Sequence, residues 1–331
     1  MRHLKLILAV PVLLGLPAPQ AQANPPAHLT ITPTYDSTIT SNANAVTIES
    51  SIQSEINVYQ NSFSNPVNVN IAFKGNETIS LGQSSTVISS LSYTQFRTAL
   101  FATKATSTDN LDFENSFPAG PNNPVNNNSN IIVTSANARA IGIDYGLGSA
   151  GIDSTISLKT SIMNLSRTGA QDSSKYDLQT VVAHEIDEAL GFGSALNGLA
   201  NGATSPTRAI GVSDLYRFSA PGTRSLSTNV NANAYLSVDG GLTNLVNFNQ
   251  TAGGDFSDYM SVAGSPHVQD AFNTPGAQAD LGTAELTTLR DIGYNSSISA
   301  APEPSQLAGL AFSAFGALGL ILRSRKRRAN P

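Results

Sequence analysis

The chain has no cysteine, which excludes a disulfide framework and any cysteine-ligated metal site. Charged residues are scarce, at 12% of 331, and Asn, Ser, Thr and Gly are abundant. That composition suits an exported bacterial surface protein better than a cytosolic enzyme. Histidine is rarer still, with four in all: His3, His28, His184 and His267. No repeat of fixed period is visible. A second Glu-x-x-His helix, which a di-metal carboxylate oxidase would need, is also missing.

The two ends differ from the body. Arg2, His3 and Lys5 precede an apolar stretch from Leu6 to Leu16, and Ala21-Gln22-Ala23 has the A-x-A form of a cleavage site. Residues 1–23 therefore read as a signal peptide, the apolar run being too short for a membrane anchor. At the other end Pro302-Glu303-Pro304 precedes the apolar run Leu307 to Leu322 and then five basic residues between Arg323 and Arg328. This order reads as a stop-transfer segment. Removing both ends takes seven of the 18 Lys and Arg but one of the 23 acids, leaving a body, 24–301, near −11. Sequence-independent nucleic-acid binding needs the opposite sign and is excluded.

Within the body, 29–35 (LTITPTY) and 67–73 (VNVNIAF) alternate as strands, and Asn44 to Phe63 carries Val46, Ile48, Ile52, Ile56 and Tyr59 at helical spacing. Ser92-x-x-Gln95 is a capping box that opens a helix over 93–103. Residues 109–130 read as an exposed loop. Asp109, Asp112 and Glu114 offer oxygens there, but without a spaced calcium motif. Ile131 to Thr134, Ala138 to Ile143 and Ser154 to Leu158 read as further strands. Beyond residue 193 the chain is loop-rich, with a hairpin turning at Asp239-Gly240-Gly241 and a last helix over 283–292 stopped by Gly293. The fold class expected is α+β, with an N-terminal part (24–193) and a C-terminal part (194–301).

The stretch that carries chemistry is Leu178 to Ser194, LQTVVAHEIDEALGFGS. Ser174 and Asp177 form a capping signature, and Gly191 and Gly193 supply the stop. Leu178, Val182, Ile186 and Ala189 share one face at about 100° per residue. His184 and Glu188 lie together on its flank, Glu185 points between, and Asp187 points away as a solvated charge. A zinc peptidase helix reads H-E-x-x-H, with two ligands four apart and a Glu between them as general base; here Glu188 holds the second ligand position.

His184, Glu185, position 188, Gly191 and position 194 fall in the register H-E-x-x-H-x-x-G-x-x-H. In this the chain resembles the metzincin clan of zinc peptidases, and within it a bacterial group with H-E-x-x-E helices; DLYRFSAPG (214–222) and VDGGLTNL (238–245) add to the likeness. Glu188 and Ser194 stand where His would be. The resemblance implies a twisted mixed sheet, a long backing helix, a metal helix and a loop-rich lower half closing a cleft. It also implies a strand near 154–160 that borders the cleft and pairs with substrate. Met260 is a candidate for the Met-containing turn beneath the metal, with core packing as the alternative. The C-terminal segment 302–331 resembles a PEP-CTERM sorting signal. That likeness implies processing by signal peptidase and an exosortase, transient membrane anchoring, and delivery to the exterior of a Gram-negative cell.

A catalytic zinc takes three protein ligands and leaves a fourth position for water. His184 and Glu188 supply two, and the neutral hydroxyl of Ser194 is a poor third. His267 would complete a two-His, one-Glu set. Asp214 is the rival, with Arg217 as its alternative partner. The expected function is hydrolysis of a protein or peptide substrate by one zinc ion with Glu185 as general base. The competing expectation is a non-catalytic relative, a surface or biofilm-matrix binding protein that keeps the fold.

Overall fold

The computed structural model describes residues 28–104, 117–144, 151–200 and 208–297. The expected signal peptide, the acids at 109–114 and the C-terminal sorting segment lie outside them. Among the described residues no helix is long and apolar enough to cross a membrane.

The chain opens with β1 (Thr30–Tyr35), α1 (Ser37–Thr40), α2 (Ala45–Ser62) and β2 (Asn68–Gly75). Next come β3 (Gly82–Thr86), β4 (Ile88–Ser92), α3 (Tyr93–Lys104), β5 (Asn130–Thr134), α4 (Ser135–Ala140) and β6 (Ser154–Leu158). Short strands β7 (Met163–Asn164) and β8 (Tyr176–Asp177) lead into α5 (Leu178–Leu190) and α6 (Leu196–Ala200). Then follow β9 (Ile210–Gly211), β10 (Arg217–Ala220), β11 (Thr223–Arg224), β12 (Tyr235–Leu236), β13 (Val246–Asn247) and α7 (Thr283–Asp291). The architecture is α+β, with several small sheets.

The sheet that matters most has the order β1-β2-β6-β3. β1, β2 and β6 run parallel, and β3 runs antiparallel to β6, Ser84 facing Ile156 across the ladder. Both sides of β6 are therefore occupied, and the edge is β3. This corrects the expectation that 154–160 borders the cleft. The stretch GQSST shows no apolar alternation, because β3 packs through Gly, Ser and Thr against a helix rather than through large side chains.

α2 buries Ile48, Ile52, Ile56 and Tyr59 completely, each aliphatic side chain contributing about 1.5–3 kcal/mol. Val46, in the first turn, is 79% exposed and stands outside that stripe. Residues 138–143, expected as a strand, instead follow a helical start: the Thr134 side chain accepts from Asn137 N at 3.0 Å and opens α4, and alanine at 136, 138 and 140 favours the helix. β12 and β13 pair antiparallel around the Asp239-Gly240-Gly241 turn, Gly240 and Gly241 having φ of +77° and +90°.

The end of the body returns to its beginning. Ser64 N donates to Asn295 O (2.8 Å) and Asn65 Nδ2 to Gly293 O (3.0 Å). Lys104 Nζ, at the end of α3, donates to Tyr294 O (3.2 Å), and the Tyr294 hydroxyl to Leu190 O (2.9 Å). The turn after α2 and the ends of α3 and α5 thus all hold the 293–295 segment, and one apolar core runs from Leu29 to Tyr294.

Candidate metal centre

α5 begins at Asp177, whose carboxylate accepts from Thr180 N (2.9 Å) and Thr180 Oγ1 (2.8 Å). Arg167 clamps the same oxygen at 2.7 Å. Asp177 alone is the cap; Ser174, expected as its start, belongs to the preceding turn, where its N–H donates to Asp172 (2.9 Å). The helix stops at Gly191, at φ +145°. A Cβ there would come within 2.7 Å of Ile292 on the segment after α7, so both conformation and space call for glycine.

Asp187 is not solvated. It is fully buried, with the Tyr59 hydroxyl of α2 2.7 Å from its Oδ1. Burial, and then the charge of Glu285, push its carboxyl well above the usual range. The helical wheel assigns it to water because it assumes one solvent face, whereas α5 is covered on nearly all sides.

His184 Nε2 lies 3.8 Å from Glu188 Oε1 and 3.8 Å from Asp258 Oδ2. One ligand atom from each of the three falls within 4.8 Å of the others. Tetrahedral zinc at bond lengths of 2.0–2.2 Å separates its ligand atoms by about 3.4 Å, close to the two 3.8 Å approaches at His184. The remaining heteroatom of each ligand is held from behind. His184 Nδ1 sits 3.0 Å from Val268 O, Ser84 Oγ donates to Glu188 Oε2 (2.5 Å), and Gln269 Nε2 donates to Asp258 Oδ1 (2.9 Å). Such outer partners orient metal ligands and fix the imidazole tautomer.

Burial pulls the His184 imidazole down, but Asp258, Glu188 and Glu185 raise it to about 10. Burial raises Asp258 to about 7, and Glu185 and Glu188 also stand above their ordinary range, burial again being the largest cause. Burial makes three carboxylates beside one imidazole costly, protons relieve that cost in the metal-free site, and a divalent ion would take their place. The donor set and its outer partners fit a zinc-sized ion.

Glu185 stands one residue from His184, 5% exposed. Its Oε2 accepts from no donor among the described residues, and its carboxyl is hydrogen-bonded to that of Glu188. A Cβ at Gly82 would strike Glu185 Oε1 and come within 2.7 Å of Val181, so glycine lets β3 lie directly over this carboxylate. Two cavities meet here, of about 680 and 390 Å³, and Ser84, Glu188 and Asp255 line both. Glu185, His184 and Asp258 line the larger.

The other expected ligands lie elsewhere. His267 packs edge-on against Tyr259, and its Nδ1 is 3.5 Å from Asp270 Oδ1. It stands beside Val268, which holds His184, but it is not in the three-atom group. Asp214 accepts from Ser194 Oγ (2.5 Å), Ala195 N (2.8 Å) and Gly211 N (3.0 Å); its hydrogen bonds tie two loops together, and burial still raises its carboxyl. Arg217 is not among these partners. It donates to Phe256 O and stacks over the Phe248 ring. Met260 is 44% exposed, so it is neither beneath the site nor in the core. The buried neighbours are Asp258 and Tyr259, and the chain reaches the surface at Met260.

Asp258 is the residue missed from sequence. One signal was available: from 240 to 272 the only acids are Asp255, Asp258 and Asp270. Protein-family models, curated proteins and solved structures give no match to this chain.

Proposed function

We propose that the protein is an exported, zinc-dependent metallopeptidase with a metzincin-like catalytic domain, directed outward by its N-terminal signal and its PEP-CTERM-like end. The observation that carries this reading is the Glu185 carboxyl group, buried and with no donor to Oε2 among the described residues, beside the His184, Glu188 and Asp258 donors in a cleft. A carboxyl group buried that way costs stability, and a part in proton transfer would account for it.

His184, Glu188 and Asp258 would hold the ion. Zinc, when bound, polarises a scissile carbonyl and lowers the pKa of water. Glu185 accepts the proton of the attacking water and passes it to the leaving amine. With Nδ1–H donating to Val268 O, His184 would turn Nε2 to the ion, which would replace the proton there. β3 would bind the substrate in extended form: residues 82–86 make no backbone hydrogen bonds outside the β6 ladder among the described residues, so the outer edge can add a strand. Two anionic ligands neutralise the ion more than imidazoles would, which favours modest turnover or a metal other than zinc.

The test is metal content of the purified protein, wild type beside His184→Ala, Glu188→Ala and Asp258→Ala, followed by a peptide-library cleavage screen. About one zinc per chain, lost in all three variants, with cleavage by wild type, supports the reading. One zinc without cleavage favours the binding-protein alternative. A folded wild type that takes up no metal overturns both the site and the peptidase.

A further inference from the structure

Glu188 stands where the resembled helix carries an imidazole, and it brings two oxygens where imidazole brings one ligating nitrogen. A free carboxylate next to a cation can bind through one oxygen or both. In this structure the two oxygens are not equivalent. Oε1 faces His184 Nε2 at 3.8 Å, while Oε2 accepts from Ser84 Oγ at 2.5 Å. Ser84 is the middle residue of β3, fixed by its pairing with Ile156, and it sits on the same side of the strand as Gly82, which overlies Glu185. The donor is therefore mounted on the rigid edge of the sheet.

We infer that Ser84 is a positioning residue that makes Glu188 a one-oxygen ligand, the counterpart of the imidazole it replaces, and so keeps a coordination position open. This rests on the metal reading of the site. Without the hydroxyl, Oε2 loses its donor and can turn to the ion beside Oε1. A carboxylate binding through both oxygens fills the open position and suits larger, harder cations such as Ca²⁺.

The experiment compares wild type, Ser84→Ala, Ser84→Thr and Ser84→Val, the last two having the same shape and differing in the hydroxyl. Zinc and calcium affinities are measured by competition with a chromophoric chelator. The visible spectrum of the cobalt-substituted protein and the Tm of the metal-free protein are recorded alongside. Ser84→Ala and Ser84→Val should lose about ten- to a hundredfold in zinc affinity, shrink the preference for zinc over calcium, and change the cobalt bands. Ser84→Thr should restore all three, and metal-free Tm should stay near wild type throughout. Unchanged zinc affinity and cobalt bands in Ser84→Ala and Ser84→Val would overturn the inference while leaving the metal site standing. So would losses matched by a fall in metal-free Tm and not rescued by Thr. A wild type that binds neither metal would overturn the site itself.

Discussion

Asp258 Oδ2 and His184 Nε2 lie 3.8 Å apart although one residue sits on a helix and the other in a loop of the opposite half of the chain. The loop is held there by its own neighbours: Tyr259 N donates to Gln269 O (2.7 Å), and Gln269 N to Glu285 of α7 (3.3 Å). Removing Asp258 (Asp258→Ala) should therefore abolish stoichiometric zinc binding. His267→Gln should leave it intact. Asp214→Ala should lower stability by about 1–3 kcal/mol, because Ser194, Ala195 and Gly211 lose a buried acceptor, and should retain the metal. Metal content beside denaturant unfolding separates the three.

Glu185→Gln keeps shape and removes the base. Zinc content should be unchanged, and peptide hydrolysis should fall by about 10²–10⁴-fold. Activity within a few-fold of wild type would remove Glu185 from the mechanism.

Gly82 lies over Glu185 with no room for a methyl group. Gly82→Ala should push β3 off α5, cost about 1–3 kcal/mol, and cut hydrolysis by more than the stability loss explains, since Ser84 moves with the strand. Tm and specific activity, measured together, check this.

Gln269 is fully buried and holds Asp258, with its own Oε1 unpartnered among the described residues. Gln269→Met, similar in length, should weaken zinc binding about 10–100-fold. Equilibrium titration of the metal-free protein gives the number directly.

Glu55 supplies a pH test away from the site. Burial in α2 is the main cause that raises its carboxyl to about 7, with Arg167 opposing. The unfolded chain releases that proton near 4.5, before the folded one does. Wild-type stability should therefore fall as pH rises from about 4.5 to about 7 and level off above. Glu55→Gln should remove a decline of about 2–3 kcal/mol, seen by urea unfolding at pH 5 and pH 8.

Much of the framework is readable from local pattern. Ile48, Ile52, Ile56 and Tyr59 mark α2, the alternation of 67–73 marks β2, and His184 with Glu188 marks the helix that carries two of the three clustered donors. What was not readable depends on contacts across the chain. Asp258 sits in a segment without periodicity, so nothing local ties it to His184. Asp187 looks solvated until α2 is packed against it. β3 lacks apolar side chains because its neighbour is a helix that needs small residues. Asp214 and His267 were the acid and the histidine with the most suggestive surroundings, and each instead serves the loop it stands in.

The docking of 293–295 onto the turn after α2 and the ends of α3 and α5 has a consequence for how the molecule is made. Among the described elements, α7 and the segment after it that closes the underside of α5 come last in the chain. Until Tyr294 reaches Leu190 and Gly293 reaches Asn65, the long core helices have an open side. Assembly cannot finish from the front of the chain; it closes from the back, and a product shortened before α7 would lack its keystone.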